Sequence, residues 1–560
     1  MFEAVGGGEC VDDVLRRAGS FRLRDGGEAR FGGLFGAAGL LRGGFLRERA
    51  VRREKKGQRG RCYGEPSSKM SHVCFLVTGA ILFASTLIRL KRSRKRWFEG
   101  WARRVQEDVL LSSGAASRIR ADRPVEEKML DRRGFLSSLA GATGVAGSLS
   151  LSPAWPKLLE QAPAKLPDKA LFDSNEEAYW TELRKQFLIP ADEVYLNNGT
   201  VGSSPAPVLK AVFDTYNDTE RMAQDNPEDY PIWGYGDWNQ VRDPLAAFVG
   251  CTRDELALVR NSTEANCYMC NGLDFKAGDE VLMTDQEHPG GEQGFNLRAK
   301  RHGIVVKKVT LPKPVPNAAA VLNLFNDAIT PRTKLIFFSH ITTVTGVVLP
   351  VKEICALARS KGILSAVDGA HVIGMMKLNI KELGCDMYSS SPHKWLQAPK
   401  GSGFLFVRDE VIDRVWNTIV TGGWDDPKLR ALRFQQIGSS NVPIIYGLRA
   451  AVELANSIGM ERIERRHRMM ADYILKEMVK RGAESWTSPD PAMRCAIASV
   501  NVPPIQIGEL ETWMWKEKKI RIRGGGPSKI RLSTPYYLLR KDADRYLAAY
   551  DEYRKLKIAA

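Results

Sequence analysis

Two residues that could hold a carbonyl cofactor each follow an apolar run of the chain. The run ILSAVDGAH contains Asp368, and Lys394 comes 26 residues later in SSSPHKW. A lysine amine can form a Schiff base with pyridoxal 5'-phosphate (PLP). A carboxylate beside the pyridine nitrogen keeps that nitrogen protonated, so the ring can accept the electrons of a broken Cα bond. We therefore expect PLP chemistry at Lys394, with Asp368 as the partner of the cofactor ring.

A phosphate-binding turn would complete such a site. The segment LALVRNSTEAN passes from an apolar run into a helix-like stretch through Ser262 and Thr263. Free backbone N–H groups and the positive end of a helix dipole favour a phosphate at such a turn. The same residues also make an ordinary helix cap, which by itself carries no function. Their combination with Asp368 and Lys394 favours the phosphate-binding interpretation.

The elements that must position these residues alternate along the chain after Pro167. Short apolar runs are separated by helix-like segments such as VLNLFNDAI and VKEICALARSKG. The runs are ELALVR, DEVLMT, GIVVKKV, TKLIFFSH, ILSAVDG and GSGFLFV. This alternation predicts an α/β fold with a mostly parallel sheet and helices on both faces. Ligands of such sheets bind beyond the carboxyl ends of the strands, which is where Asp368 and Lys394 fall.

Seven segments follow one another between about Tyr195 and Tyr537: YLNNGTVGSSP, NSTEAN, EHPGG, VDGAH, SPHKW, FQQIGSSNVP and IRLSTPYY. In this order they resemble the motifs of the class V aminotransferase family. The similarity is greatest to its isopenicillin N epimerase-like and cysteine desulfurase-like branch. The resemblance implies the PLP-dependent transferase fold type I, with a large domain on a mixed, mostly parallel sheet, a smaller C-terminal α+β domain, and a homodimer.

The resemblance assigns the groups around the cofactor ring. It gives Lys394 the Schiff base and Asp368 the pyridine nitrogen, and it places the ring of His288 in a stack on the cofactor. His371 falls where the family often has Gln or His beside the phenolic oxygen. Lys394, Asp368 and His288 are the implied catalytic residues.

The resemblance also assigns phosphate and substrate contacts. Ser439 stands in the segment that reaches the phosphate bound by the partner subunit, and Arg531 stands where the family clamps the substrate α-carboxylate. A guanidinium suits a carboxylate because two parallel hydrogen bonds can form. The implied phosphate contacts within one chain are Ser262, Thr263, Ser391 and His393.

The sequence leaves open which reaction the enzyme carries out on its amino-acid substrate. A cysteine desulfurase needs a mobile cysteine shortly before its carboxylate-binding Arg, and no cysteine lies between Cys495 and Arg531. Cys495 itself lies in CAIASVNV, a pattern typical of a buried strand, where a thiol is inert. We expect an aminotransferase or an epimerase, with a β-lyase acting on a sulfur-bearing amino acid as the alternative. A non-enzymatic, membrane-tethered protein is a third, more distant reading.

Charge and cysteine usage exclude other classes. Residues 1–130 hold 27 Lys and Arg against 15 Asp and Glu, so they carry +12 of the formal charge of +17. The other 430 residues are only mildly basic and show no aromatic-basic module, so we expect no nucleic-acid partner. Cys267 and Cys270 have CxxC spacing on a predicted helix, but no second pair follows, so we expect no metal.

The N-terminal region carries two possible targeting signals. Residues 73–88 form an apolar stretch that is marginal for a membrane span and is followed by a basic run. From Met129 the chain reads MLDRRGFLSSLAGATG, which resembles a twin-arginine export signal at Arg132 and Arg133. We therefore expect Met129 to be the true start and the twin-arginine machinery to deliver a folded, periplasmic protein. A membrane-anchored or cytoplasmic location is the alternative.

The sequence predicts four segments. Residues 1–128 are disordered or are not translated, and residues 129–165 are the export signal and a linker. Residues 166–435 form the PLP-binding large domain, with an N-terminal part that packs on the small domain. Residues 436–560 form the small C-terminal domain.

Overall fold

The structure is a computed structural model that describes residues 165–220 and 236–558. The chain divides into two units, Met1–Arg132 and Arg133–Ala560, and every described residue belongs to the second. The apolar stretch 73–88, the start at Met129 and the twin-arginine pair lie outside the described residues. Within the described ranges, no helix combines the length and apolar character that crossing a membrane requires.

The strands of the described residues form three sheets. They are β1 (Val194–Tyr195), β2 (Leu256–Val259), β3 (Glu280–Thr284), β4 (Val305–Val309), β5 (Thr333–Ser339), β6 (Leu364–Asp368), β7 (Met387–Ser390), β8 (Gly403–Val407), β9 (Glu484–Ser485), β10 (Ile497–Asn501), β11 (Ile520–Arg521), β12 (Arg523–Gly524) and β13 (Lys529–Ser533).

The α-helices of the same ranges are α1 (Lys169–Ser174), α2 (Glu176–Arg184), α3 (Ala206–Glu220), α4 (Asn239–Val249), α5 (Ser262–Asn271), α6 (Pro289–His302), α7 (Ala318–Ala328), α8 (Val351–Ser360), α9 (Ile380–Leu383), α10 (Leu432–Gln435), α11 (Val442–Ile458), α12 (Met460–Lys480), α13 (Ile507–Lys518) and α14 (Arg540–Ile558). Short 3₁₀ turns connect several of them.

The large sheet has seven strands in the order β2-β8-β7-β6-β5-β3-β4. Only β8 runs against its neighbours, β2 and β7. The other pairs are parallel, which confirms the predicted mixed, mostly parallel sheet. All six predicted apolar runs are strands of this sheet. Because β2, β3, β6 and β7 point the same way, their carboxyl ends meet at one edge.

Two apolar layers cover the large sheet, one on each face. Strand β5 shows why: Leu335 and Phe337 belong to one buried cluster, whereas Ile336 and Phe338 belong to another. Alternate side chains of a strand point to opposite faces, so a strand that is buried on both sides has no polar face. The helices of the predicted α/β pattern therefore pack on both sides of the sheet.

The small sheet follows in the chain and has the order β12-β13-β10-β9. Its central pair is antiparallel, with Ser499 of β10 opposite Arg531 of β13. Ile530 and Leu532 of β13 lie in a third apolar cluster, so Arg531 points to the other face of the strand. Strand β1 pairs with β11, so the segment before the large sheet is attached to the C-terminal part of the chain.

Candidate active site

The carboxylate of Asp368 lies at the carboxyl end of β6 and is buried. Its Oδ1 accepts a hydrogen bond from the backbone N–H of Ala370 at 3.0 Å, and its Oδ2 accepts one from Nδ2 of Asn266 at 2.9 Å. The Oγ of Ser389 donates to Oδ1 of Asn266 at 2.7 Å, which fixes that amide. The two donors hold the carboxylate in one orientation.

The amine of Lys394 lies in the turn that follows β7. The backbone carbonyl of Lys394 accepts a hydrogen bond from Nδ2 of Asn198 at 3.0 Å, which ties this turn to the segment before the large sheet. Burial lowers the pKa of the amine to about 8; the charge of Asp368 opposes this shift and that of Arg531 adds to it. A lysine with a lowered pKa holds more of its amine in the free, nucleophilic form near neutral pH.

His371 contacts Lys394 from the turn after β6. Its Nε2 lies 3.4 Å from Nζ of Lys394, and its Nδ1 accepts a hydrogen bond from the indole Nε1–H of Trp395 at 3.1 Å. Because an indole nitrogen only donates, Nδ1 of His371 must be unprotonated. Burial, with the charge of Lys394, holds the pKa of His371 well below its ordinary value. The neutral ring therefore carries its proton on Nε2, facing Lys394.

His288 begins α6 as its N-cap. Its Nδ1 accepts a hydrogen bond from the backbone N–H of Gly290 at 3.0 Å, and burial, followed by the charge of Lys394, lowers its pKa. The carboxyl group of the preceding Glu287 is buried and accepts bonds from the Ser339 backbone at 2.8 Å and hydroxyl at 2.6 Å. Glu287 therefore ties the loop that carries His288 to the end of β5.

The predicted phosphate contacts meet at the start of α5. The Oγ of Ser391 accepts a hydrogen bond from the backbone N–H of Ser262 at 3.0 Å and donates to its Oγ at 2.9 Å. Thr263 is exposed in the same helical turn. Nδ1 of His393 donates to the carbonyl of Ser402 at 3.2 Å, which leaves Nε2 of the ring as an acceptor. This turn presents hydroxyl groups and free helix N–H groups together.

Arg531 lies on β13 and is 5% exposed. Its Nη2 donates to Oγ1 of Thr200 at 2.8 Å and to Oδ1 of Asn197 at 3.4 Å, and its Nε has no hydrogen-bond partner. No carboxylate of the described ranges forms an ion pair with it. Burial, followed by the charge of Arg523, lowers the pKa of Arg531 to about 10. A buried cation without a counter-ion is suited to receive an anion.

Eight of the ten predicted residues lie at or beyond the carboxyl ends of strands of the large sheet, Arg531 lies on the small sheet, and one residue lies apart. Ser439 lies on the loop before α11 and is exposed, and it makes no hydrogen bond to the other nine within the described residues. Three residues that hold the site were not singled out from the sequence, namely Asn266, Trp395 and Asn198. Asn266 and Trp395 stand in the quoted NSTEAN and SPHKW segments, but their roles depend on neighbours more than 20 residues away. The individual roles of all ten residues stay predictions.

The donor set fits PLP. The site offers a partly buried amine of lowered pKa, a carboxylate held by two donors, and a helix N-terminus lined with hydroxyl groups. These groups suit the aldehyde, the pyridine nitrogen and the phosphate of that cofactor. No group of three or more Cys, His, Asp or Glu that could hold a metal ion occurs among the described residues.

Fold and site together define a PLP-dependent enzyme of fold type I. The model of the family "Aminotransferase class-V" matches residues 194–537, and the chain belongs to that family. Isopenicillin N epimerase of Streptomyces clavuligerus is 28% identical over 403 residues, which is 67% of this chain and 98% of the relative. A probable cysteine desulfurase of Methanothermobacter thermautotrophicus is 26% identical over 298 residues, 52% of this chain and 74% of the relative.

A solved structure shares the fold at lower identity. It is a C-DES mutant with glycine covalently linked to the PLP cofactor, and it superposes with a TM-score of 0.59 at 24% identity. The match covers 65% of this chain and 98% of that chain.

Proposed function

We propose that this PLP enzyme removes the α-proton of an amino acid, as an epimerase or an aminotransferase. The observation that carries the proposal is the buried guanidinium of Arg531, which forms no ion pair within the described residues and whose charge lowers the pKa of Lys394. A substrate that places its α-carboxylate at Arg531 brings its amino group and α-hydrogen towards Lys394. An α-amino acid is the class of molecule that carries an amine, a carboxylate and an exchangeable hydrogen on one carbon.

The residues of the site divide the work. When bound, PLP supplies the aldehyde that links to amino groups and the ring that withdraws electrons from the substrate. Asp368 keeps a positive charge at the ring nitrogen, and Arg531 binds and orients the substrate carboxylate. Lys394, with its lowered pKa, accepts the α-proton. Epimerisation then requires that a proton be delivered to the opposite face of Cα. His371 places its Nε2–H beside Lys394 and orients the group that is bound next to the lysine amine.

The position of Cys495 argues against persulfide chemistry by this chain. Its thiol is buried and donates to the carbonyl of Gly346 at 3.1 Å, and burial raises its pKa to about 12. A thiol held in this way is not a nucleophile. The second candidate is a β-lyase on a sulfur-bearing amino acid, because β-elimination needs Lys394 and PLP but no enzyme cysteine. The sequence similarity to a probable cysteine desulfurase supports this candidate to a comparable degree.

One labelling experiment tests the proposal. The holoenzyme is incubated in D₂O with single amino acids, and the α-hydrogen is followed by NMR while products are separated on a chiral column. An epimerase gives both enantiomers with deuterium at Cα, and an aminotransferase with an added 2-oxo acid gives a new amino acid. Release of ammonia and a 2-oxo acid together with a thiol selects the β-lyase. An enzyme that binds PLP yet exchanges no α-hydrogen from any amino acid contradicts the proposal.

We further propose that the enzyme is a homodimer in which Ser439 reaches the phosphate bound by the partner. The exposure of Ser439 supports this, as does an exposed apolar group on the preceding loop formed by Trp416, Val420 and Trp424. Mixing inactive Lys394→Ala chains with inactive Ser439→Asp chains should restore activity, because one site of each heterodimer then has both residues. A fully active monomer would contradict the dimeric site.

A further inference from the structure

A second cation lies beside Arg531 on the same face of the small sheet. Lys529 and Arg531 are two residues apart on β13, so their side chains share one face of the strand. Arg523 of β12 lies directly opposite Arg531 in the antiparallel pair and therefore also shares that face. Two further cationic side chains, Lys529 and Arg523, thus stand next to Arg531, the proposed carboxylate clamp.

Lys529 is built into this position. Only 8% of its surface is exposed, and its Nζ donates a hydrogen bond to the carbonyl of Val344 at 3.3 Å. Gly525 makes room for the amine, because a Cβ at that glycine would lie 2.6 Å from Nζ. Val344 belongs to the loop that follows β5. The carboxyl end of β5 lies beside the carboxyl end of β6, which carries Asp368. Lys529 therefore lies between the two sheets that carry the site.

No acidic group neutralises these cations in the ranges 165–220 and 236–558. Lys529, Arg531 and Arg523 form no ion pair with a carboxylate there. Neither does Lys313, whose Nζ lies over the ring of Trp486 at 5.6 Å. Burial lowers the pKa of Lys529 to about 8, and the charges of Arg531, Lys313 and Arg523 add to this shift. Like charges at close range cost free energy unless an anion joins them.

We propose that Lys529, with Arg523 and Lys313, forms a second anion-binding subsite, and that the substrate is an amino acid with a second carboxylate. This proposal rests on the proposed function, because it takes Arg531 as the clamp for the α-carboxylate. The second carboxylate binds Lys529 and neutralises its buried amine. Residues i and i+2 of a strand are roughly 7 Å apart, so a dicarboxylic acid of about five or six carbons spans the two cations.

Binding of simple dicarboxylates to the holoenzyme tests the subsite without turnover. Malonate, succinate, glutarate, adipate and pimelate are compared with the matched monocarboxylates by calorimetry. In the unaltered enzyme we expect glutarate or adipate to bind at least about tenfold more tightly than valerate or caproate, since a charge-assisted bond to a buried cation is strong. Equal affinities for the two series would overturn the proposal.

Variants assign the preference to Lys529. Lys529→Met should abolish the dicarboxylate preference and leave monocarboxylate binding within about threefold, whereas Lys529→Arg should keep part of it. Gly525→Ala should reduce the preference without removing a charge, because the new Cβ displaces the amine of Lys529. This variant replaces Lys529→Met as the test if Lys529→Met does not fold. The control Lys476→Met, at an exposed position on α12, should bind like the unaltered enzyme. A preference that survives both Lys529→Met and Gly525→Ala overturns the subsite.

Failure of the subsite and failure of the proposed function give different results. If the proposed function is wrong, Arg531→Met binds monocarboxylates as well as the unaltered enzyme does. If only the subsite is wrong, Arg531→Met loses monocarboxylate binding but dicarboxylates show no advantage. The subsite is supported when Arg531→Met weakens both series and Lys529→Met weakens only the dicarboxylates.

Discussion

The cofactor edge of the large sheet and the cationic face of the small sheet differ in whether their charged groups have partners within the protein. At the cofactor edge the carboxylate of Asp368 and the ring of His371 each have a partner within the protein: Asn266 donates to Asp368, and Trp395 donates to His371. On the small sheet, Arg531 and Lys529 are buried but have no carboxylate partner within the described residues. The protein itself holds the ionisable side chains of Asp368 and His371 in place, whereas we expect an anion to neutralise the cations of the small sheet.

This difference separates what the two surfaces do. A surface whose groups hold one another in place orients a cofactor at little further cost, because no reorganisation is needed at the time of reaction. A surface of unpaired buried cations gains free energy only when substrate arrives, and it therefore provides specificity. Changes at the cofactor edge should affect the chemical step, and changes on the small sheet should affect substrate binding.

Asp368→Asn should show the largest effect. An amide cannot keep the ring nitrogen protonated, so we expect kcat to fall by at least about a thousandfold while PLP still binds. The measurement is kcat together with the visible absorbance of the bound cofactor. The control Asp327→Asn, at an exposed position on α7, should behave like the unaltered enzyme. A kcat within about tenfold of the unaltered value would contradict the assignment of Asp368 to the ring nitrogen.

Arg531→Met tests the other surface. Loss of the guanidinium should raise KM on the order of a hundredfold and leave the cofactor absorbance unchanged, because Arg531 does not hold PLP. The matched control is Arg521→Met on β11, whose side chain is exposed and lies over the ring of Trp515. Loss of bound cofactor in Arg531→Met, with KM unaltered, would contradict the division between the two surfaces.

Trp395→Phe should have a smaller effect and sharpens the description of the cofactor edge. Phenylalanine keeps an aromatic ring but cannot donate to Nδ1 of His371, so the histidine loses its fixed tautomer. We expect kcat to fall about tenfold and ¹⁵N NMR to show protonation at both ring nitrogens of His371 in exchange. Trp416→Phe, at an exposed position, is the control. An unchanged ¹⁵N spectrum would show that Trp395 does not position His371.

The smallest expected effect is a shift on the pH axis. The rate at which apoenzyme captures PLP should rise with pH as Lys394 loses its proton and level off above its pKa of about 8. Because Asp368 raises this pKa and Arg531 lowers it, the midpoint should fall in Asp368→Asn and rise in Arg531→Met. Stopped-flow absorbance measures the midpoints. Shifts in the reverse directions would show that the two side chains do not act on Lys394 by charge.

Sequence reasoning predicted the large sheet well because its signal is local. The six apolar runs are strands, since a strand buried on both faces has to be apolar throughout. The segment MYSS of β7 does not show the apolar pattern of a buried strand because it ends in two serines. Ser389 and Ser390 are nevertheless buried. Cys267 and Cys270 lie on a helix, α5, as their spacing predicted.

The parts that sequence reasoning missed depend on contacts between distant segments. Asn266 donates to a carboxylate 102 residues away, and nothing in its neighbourhood indicates that partner. Nothing in the sequence singles out Lys529, because a lysine near a glycine-rich turn is usually solvated. Its burial depends on the register of β12 with β13 and on the loop that carries Val344. Such contacts follow from tertiary packing rather than from residue type and spacing.

Trapping the cofactor tests the central claim most directly. The purified protein is treated with borohydride in the presence of PLP and digested, and the modified peptide is identified by mass spectrometry. The account predicts one PLP adduct, on Lys394, and a yellow protein that loses its colour on reduction. A Lys394→Ala variant should yield no such adduct. A major adduct on another lysine, or a protein that binds no PLP, would contradict the assignment of the site.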